Sequence, residues 1–269
     1  MEAYTDFASV YDEFMDNAPY KEWSEYLIGY LAKNQINDGI VLDLGCGTGV
    51  MTELFAQAGY DMIGADLSPE MLNIAMDKRA EHGLDILYLC QDMREFELYG
   101  TVRAVISVCD CVNYLLTEED LKKTFRLVNN YLDPKGLFIF DFNTLYKYQE
   151  VIGNTVIAEN REECSFIWEN SFDKETGQNE YDVTIFVKEE QPEENEKGGF
   201  FKKKKPQITE PLFRRFTETH IQRGYTADTM IRLVQEAGLE FVEAIDADTH
   251  KIVTAQSERV YIVAREQGK

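Results

Sequence analysis

The sequence is poor in basic residues. Its 269 residues include 27 Lys and Arg against 49 Asp and Glu, which gives a formal net charge of −22. Because a chain of this charge repels polyanions, the composition argues against general affinity for nucleic acid. Long apolar runs are also missing: no stretch approaches the roughly 18 consecutive apolar residues of a transmembrane helix, and the acidic, aromatic N-terminus lacks the apolar core of a signal peptide. We therefore expect neither nucleic acid nor a membrane as a partner.

Cysteine is scarce as well, with 5 residues in the chain. An odd count in a chain of this size favours a reducing compartment over a disulfide-stabilised secreted scaffold, so we expect a cytoplasmic protein. Cys109 and Cys111 form a C-x-C pair, but with neither a second pair nor a nearby histidine we expect no metal site. The sequence does have 44% hydrophobic residues, enough for a sizeable core. Its length suits one large domain, or one domain with an insertion.

Short apolar runs alternate with helical stretches after the first 34 residues, which themselves have helical spacing of aromatic side chains. Nearly unbroken apolar strands that alternate with helices predict an α/β fold, a parallel sheet with helices on both faces. The predicted strands are 40–44, 62–65, 86–89, 104–108, 137–142, 239–244 and 259–264, and the helices between them are 50–58, 69–81, 118–131 and 228–237.

The pattern changes between 150 and 222. Two strand-like runs, 166–172 and 181–187, are joined by the turn sequence DKETGQN, and a third follows at 213–220. The segment 189–207 is acidic and then carries Lys202–Lys205, which predicts a solvated loop. We therefore predict an antiparallel β insertion at 150–222 within an α/β domain made of 1–149 and 223–269. We expect this small sheet to lie over the carboxyl edge of the main sheet.

The segment VLDLGCGTGV, residues 41–50, joins the first strand to a helix through three glycines. Glycines there let the backbone approach a ligand, and the helix N-terminus offers free N–H groups to an anion. The dinucleotide fingerprint G-x-G-x-x-G does not fit, because position 50 is Val. Asp43 would also repel a pyrophosphate, and it suits a ligand that carries a cationic group instead.

This segment resembles the first motif of the class I S-adenosylmethionine-dependent methyltransferases, an acidic residue followed by G-x-G-x-G. Asp43, Gly45, Gly47 and Gly49 match that motif position by position. The resemblance implies a Rossmann-like, seven-stranded, mostly parallel sheet and S-adenosylmethionine as the cofactor. The N-terminal YTDFASVYDEFMD is similar to a subgroup that methylates small molecules, among them sugar-amine and glycine N-methyltransferases. In that subgroup a helical N-terminal segment closes over the cofactor and an antiparallel insertion follows the fifth strand.

Further acidic residues follow the next two strands. Asp66 ends the second strand, where a carboxylate can accept hydrogen bonds from both ribose hydroxyls. Asp92 follows the third strand, and the resemblance implies that it binds the adenine amino group, with Met93 packed on the base. The resemblance also places Cys46, Leu67, Met71 and Cys109 along the cofactor, while Tyr4, Tyr11 and Trp23 are predicted to offer ring faces to the sulfonium or the substrate.

The fourth strand ends in SVCDCVNYL, at the carboxyl edge where α/β sheets bind ligands. Asp110, Asn113 and Tyr114 are therefore candidates for the rim of the active site. His220, the last residue of the third insertion strand, is a candidate general base, so Tyr114 and His220 are the predicted catalytic residues.

The implied reaction is an in-line attack by a small-molecule acceptor on the sulfonium methyl group, with residues 4–23 ordering over the site when the cofactor binds. Three alternatives stay open: a non-catalytic S-adenosylmethionine-binding protein, an NAD-dependent oxidoreductase and a nucleic-acid methyltransferase. The acceptor atom and the oligomeric state are not readable from the sequence.

Overall fold

The computed structural model describes residues 7–189 and 211–269, and their helices and strands alternate as the sequence predicts. Two helices, α1 (Ala8–Phe14) and α2 (Tyr20–Lys33), precede the first strand. The α/β part then runs through β1 (Ile40–Leu44), α3 (Val50–Gln57), β2 (Asp61–Asp66), α4 (Pro69–His82), β3 (Ile86–Cys90), β4 (Val102–Ser107), α5 (Glu118–Tyr131) and β5 (Leu132–Asn143). The second half of the chain contains β6 (Val156–Asn160), β7 (Cys164–Phe172), β8 (Gln178–Lys188), β9 (Phe213–Arg223), α6 (Ala227–Glu236), β10 (Glu240–Asp246) and β11 (Arg259–Arg265).

The main sheet has seven strands in the order β10-β11-β5-β4-β1-β2-β3. Strand β11 is antiparallel to both of its neighbours, and the strands from β3 to β5 are parallel to one another. This confirms the predicted Rossmann-like, seven-stranded, mostly parallel sheet. The strand order reverses between β1 and β4, and sheets of this kind bind ligands in the crevice at the carboxyl ends beside such a reversal.

Side chains on both faces of the main sheet are buried, which explains the nearly unbroken apolar strands. On one face Phe138 and Phe140 of β5 pack with Phe125 of α5. On the other face Ile106 of β4 and Phe55 of α3 belong to a second buried cluster. Helices therefore cover both faces, and only the strand ends are left to line a site.

The insertion forms a separate antiparallel sheet of four strands, β6-β7-β8-β9. The sequence predicted three of them and missed β6, whose side chains are mostly exposed, so no alternation of apolar and polar residues marks it. Tyr181, Val183 and Ile185 of β8 are buried and pack in a cluster with Val10 of α1. The predicted loop 189–207 lies, after its first residue, outside the described residues, as do the four lysines.

Residues 7–189 and 211–269 contain neither a membrane-spanning helix nor a cluster of metal ligands. No helix in these ranges is long and apolar enough to cross a membrane. The same ranges hold no cluster of three or more histidine, cysteine, aspartate or glutamate side chains placed to bind a metal ion.

Candidate active site

A cavity of about 570 Å³ opens at the carboxyl ends of the parallel strands, beside the reversal of strand order. The main sheet contributes the turns after β1, β2, β3 and β4 to its wall, α1 and α2 each contribute a tyrosine, and the insertion contributes β9. Most of the residues predicted for the site line this one cavity, namely Tyr11, Asp43, Gly45, Cys46, Gly47, Asp66, Leu67, Met71, Asp92, Met93, Cys109, Tyr114 and His220.

The glycine turn after β1 is shaped by close packing. Gly45 has a φ of 84°, a left-handed conformation that residues with a Cβ rarely adopt. A Cβ atom added there would lie 2.7 Å from the sulfur of Cys111, so a side chain would fill the space between the two turns. The amides of Gly45 and Cys46 both donate to the carbonyl of Ala65, at 2.7 and 3.0 Å. These bonds bind the turn to β2.

Asp43 lies at the inner end of the cavity with its side chain almost completely buried. The hydroxyl of Thr52 donates a 2.6 Å hydrogen bond to its carboxylate. Burial raises the pKa of Asp43 to about 7, and the nearby charge of Asp66 acts in the same direction. Because a neighbouring positive charge favours the ionised form, Asp43 suits a ligand that brings a cationic group.

Asp66 is held in one orientation at the end of β2. Its two carboxylate oxygens accept 2.8 Å hydrogen bonds from the backbone amides of Gly47 and Ser68. Burial raises the pKa of Asp66, and these backbone donors partly offset that effect. Ser68, not Asp66, caps α4, because the Ser68 hydroxyl accepts from the Met71 amide at 3.1 Å. The carboxylate of Asp66 is thus not used as a helix cap.

Asp92 has a partner that the sequence reasoning missed. The backbone amide of Arg94 donates to it at 2.8 Å, and the guanidinium Nε lies 3.0 Å from both carboxylate oxygens. The Arg94 side chain holds the pKa of Asp92 below its ordinary value. An adenine amino group would therefore share this carboxylate with Arg94. The D-x-R spacing of residues 92–94 gives no sequence signal for that pairing.

The aromatic residues predicted to contact the sulfonium occupy different places in the structure. Tyr11 of α1 lines the cavity, but Trp23 of α2 does not, and Tyr20 takes that place. The Trp23 ring instead lies against the Arg259 guanidinium, 4.3 Å from ring centroid to Cζ. Trp23 therefore packs on a buried arginine of β11 and lies outside the cavity wall formed by the described residues. Tyr4 lies outside the described residues.

Tyr114 and His220 come from distant parts of the chain and meet in the cavity wall. Tyr114 ends the 3₁₀ turn Cys111–Tyr114 after β4, whereas His220 belongs to β9. The Tyr114 hydroxyl lies 3.1 Å from Nδ1 of His220 and 2.9 Å from the hydroxyl of Tyr181. On the other side of the ring, Nε2 lies 3.6 Å from a carboxylate oxygen of Glu218. A hydroxyl, an imidazole and a carboxylate in this order can hold or transfer a proton.

Asp110 and Asn113, the other rim candidates, do not line the cavity wall formed by the described residues. The fully buried amide of Asn113 donates to the backbone carbonyls of Asn143 and Arg223, at 2.9 and 2.7 Å. Asp110 accepts a 2.6 Å hydrogen bond from Gln222, and burial raises the pKa of its carboxyl. Both residues therefore join β9 to the main sheet.

Comparison with known proteins agrees with this geometry. Residues 41–136 match the family described as a methyltransferase domain. The candidate methyltransferase YqeM of Bacillus subtilis (strain 168) is 32% identical over 263 residues, which cover 97% of this chain and 96% of that protein. The crystal structure of a S-adenosylmethionine-dependent methyltransferase from Clostridium acetobutylicum ATCC 824 superposes with a TM-score of 0.82 at 29% identity, covering 99% of this chain and 100% of that one.

A more distant structure shares the fold. CalS10 of Micromonospora echinaspora, an amino pentose methyltransferase solved with S-adenosylmethionine bound, has a TM-score of 0.70 at 17% identity and covers 99% of this chain, with 98% of its own chain covered.

The cavity itself fits the cofactor. Gly47 borders open space, because a Cβ added there would meet no atom within 4 Å. Asp66 offers carboxylate oxygens at the end of β2, and Asp43 offers a negative charge to a cation. Because these relatives are named methyltransferases, they argue against an NAD-dependent oxidoreductase and against a non-catalytic S-adenosylmethionine-binding protein. The chain belongs to the class I S-adenosylmethionine-dependent methyltransferases, and S-adenosylmethionine is its cofactor.

Proposed function

We propose that the enzyme methylates the amine nitrogen of a small molecule that binds against Tyr114 and His220. The observation that carries this proposal is the 3.1 Å contact between those two side chains in the wall of the cofactor cavity. One comes from the turn after β4 and the other from the insertion, so the acceptor site would be complete only when both parts of the fold are in place.

The pair supplies what an amine acceptor needs. An amine arrives protonated and must lose a proton before it can attack the methyl group. The Tyr114 hydroxyl can accept that proton and transfer its own to Nδ1 of His220. The carboxylate of Glu218, 3.6 Å from Nε2, stabilises the resulting positive charge on the ring. Bound S-adenosylmethionine supplies an activated methyl group, so the remaining work of the protein is alignment and exclusion of water.

The charges in the cavity wall also favour an amine. Among the described residues that line it, Arg94 is the one Lys or Arg side chain, and it is already bonded to Asp92. An acceptor with a carboxylate or phosphate would find no free partner there. An ammonium group could instead meet the aromatic rings of Tyr11 and Tyr20, which also line the cavity. The cavity wall also includes the aromatic and apolar side chains of Tyr11, Tyr20, Leu115, Leu116 and Ile221.

This proposal assigns a role to each part of the chain. Residues 150–222 would act as the acceptor-binding cap, and residues 1–149 with 223–269 would hold the cofactor through Gly45, Gly47, Asp66 and Asp92. The amino pentose substrate of CalS10, which shares this fold, supports an amine acceptor.

A mass-shift screen tests the proposal. Amines, phenols and hydroxy acids are incubated with enzyme and S-adenosylmethionine, and we expect methylated products from amines. With an active amine, Tyr114→Phe and His220→Gln should lower kcat by about 10²-fold or more and leave cofactor affinity unchanged. His82→Gln is the matched control, because its half-exposed ring pairs with Glu53 on the helical surface. Methylation of hydroxy acids alone, or an unchanged kcat in His220→Gln, would overturn the proposal.

A further inference from the structure

Two consecutive residues in the turn after β4 have the left-handed backbone conformation, which residues other than glycine adopt uncommonly. Cys109 has a φ of 64° and Asp110 a φ of 52°. Both carry a Cβ atom, for which the left-handed region costs free energy unless the surroundings impose it. The fold must therefore contain a group that holds this turn.

That group is the carboxylate of Asp141 on the neighbouring strand β5. One of its oxygens accepts from the backbone amide of Cys109 at 3.1 Å, and the other accepts from that of Asp110 at 2.7 Å. The side chain of Asp141 is completely buried and forms an ion pair with Arg259 of β11. A buried charge with directed donors is a strong restraint on the turn.

The turn after β4 also positions two residues of the cavity wall, Cys111 and Tyr114. The backbone carbonyl of Asp110 accepts a 3.0 Å hydrogen bond from the backbone amide of Asn113. This bond starts the 3₁₀ turn that ends at Tyr114. Within that turn the sulfur of Cys111 lies 3.1 Å from the carbonyl of Gly45, on the cofactor side. On the acceptor side, the Tyr114 hydroxyl lies against His220.

We infer that Asp141 is a positioning residue for methyl transfer. It does not line the cavity formed by the described residues, and it acts through the backbone of Cys109 and Asp110. Through them it fixes where Tyr114 meets His220 and where Cys111 meets the glycine turn. The part of the inference that concerns catalysis by Tyr114 rests on the proposed function, whereas the structural part can be measured without any acceptor.

Histidine NMR measures that structural part directly. The chain has 3 histidines, so ring nitrogen signals are assigned by substituting each in turn. In Asp141→Asn an amide replaces the carboxylate and can no longer accept both backbone bonds. We expect the His220 signals to shift while those of His82 stay in place. We also expect the affinity for S-adenosylhomocysteine to fall by about tenfold.

Asp246→Asn is the matched control. Its carboxylate is also buried at a strand end and accepts a backbone amide, that of Thr249, at 2.8 Å. It lies beside His250, whose amide donates to the Asp246 carbonyl at 2.9 Å. A merely structural effect would lower the stability of both variants. Only Asp141→Asn should move His220, and unchanged His220 signals in a folded Asp141→Asn protein overturn the inference.

A rescue variant covers the case in which Asp141→Asn does not fold. Glycine adopts a φ of 64° without strain, so Cys109→Gly in the Asp141→Asn background should restore folding. The double variant should still show the shifted His220 signals. If it unfolds as readily as the single variant, Asp141 acts as the partner of Arg259 and not through the turn. Because neither readout needs methyl transfer, this result is independent of whether the acceptor is an amine.

Discussion

The hydroxyl of Thr48 donates a 2.6 Å hydrogen bond to the carboxylate of Asp12. Thr48 belongs to the glycine turn and Asp12 to α1, so the N-terminal helix is hydrogen-bonded directly to the glycine turn. Lys78 of α4 forms an ion pair with the same carboxylate. Tyr11, the preceding residue, lines the cavity. Because α1 contacts the glycine turn, we expect cofactor binding to stabilise the N-terminal segment.

Asp12→Ala should loosen α1. Loss of a hydrogen bond to a charged group costs about 1.5–3 kcal/mol when buried, and less at this partly exposed site. We expect weaker binding of S-adenosylhomocysteine and faster amide exchange in residues 7–14. In the wild type, exchange there should slow when S-adenosylhomocysteine is added.

Asp16→Ala is the control for this prediction. Asp16 pairs with Arg161 of the insertion and does not contact the glycine turn. It should leave cofactor affinity unchanged. Equal amide protection in the wild type with and without S-adenosylhomocysteine would mean that α1 is permanent core and not a closing segment.

Asp66→Ala should weaken S-adenosylhomocysteine binding by about 1.5–3 kcal/mol, the range for hydrogen bonds to a charged acceptor. The substitution also removes the bonds that Asp66 accepts from Gly47 and Ser68, so the glycine turn loses support. Asp61→Ala, at the exposed start of the same strand, is the control. Calorimetry checks both variants, and an unchanged dissociation constant in Asp66→Ala would remove the ribose assignment.

The raised pKa of Asp43 predicts that the stability of the folded protein depends on pH. Burial raises its pKa to about 7 in the folded protein, whereas in the unfolded chain it stays near its ordinary value of about 4. The folded state thus binds the proton more tightly, and this contribution to stability is lost as pH rises from about 4 to about 7. Denaturant unfolding across this range should show the loss in the wild type and not in Asp43→Asn.

Ionisation of Asp43 should have the opposite effect on cofactor affinity. S-adenosylmethionine is cationic, so its affinity should rise with pH through about 7 as Asp43 ionises. In Asp43→Asn that rise should vanish. A wild-type affinity that is flat across this range would show that Asp43 stays in one protonation state.

Thiol reactivity gives a further prediction. Burial raises the pKa of Cys109 to about 12, and it raises the pKa values of Cys46 and Cys111 well above the ordinary value. Because the thiolate is the reactive form, these cysteines should react slowly at pH 8 despite their place at the cavity. Cys90 is the exposed cysteine. A chromogenic disulfide reagent should therefore modify one thiol quickly, and Cys90→Ser should abolish that phase.

The main sheet was predictable because its strands are buried on both faces. Residues 40–44 and 118–131 were placed with the bounds that the structure has. The strand β6 was missed because an edge strand with exposed side chains has no hydrophobic period to detect. The 3₁₀ turn at Cys111–Tyr114 was also out of reach, since its shape depends on Asp141, which lies 30 residues beyond Cys111.

The part of the cavity wall that lies at the strand ends of the main sheet was easier to predict than the rest. Its residues follow consecutive strand ends, and the strand order of the sheet brings these ends together. Tertiary partners decided the rest. Trp23 packs on the Arg259 guanidinium and Tyr20 lines the cavity, while Arg94 forms an ion pair with Asp92. No local pattern signals such pairings, because they join residues from different elements or depend on side-chain direction.

The narrow contribution of the insertion to the cavity wall has an evolutionary consequence. From the described part of the insertion only Thr219, His220 and Ile221 reach that wall, all on β9, while the glycine turn follows β1 of the main sheet. If the acceptor binds against β9 as proposed, we expect that substitutions on this single strand can change the substrate without loss of the cofactor. A library randomised at positions 219 and 221, with His220 retained, would sample new acceptors at constant affinity for S-adenosylmethionine.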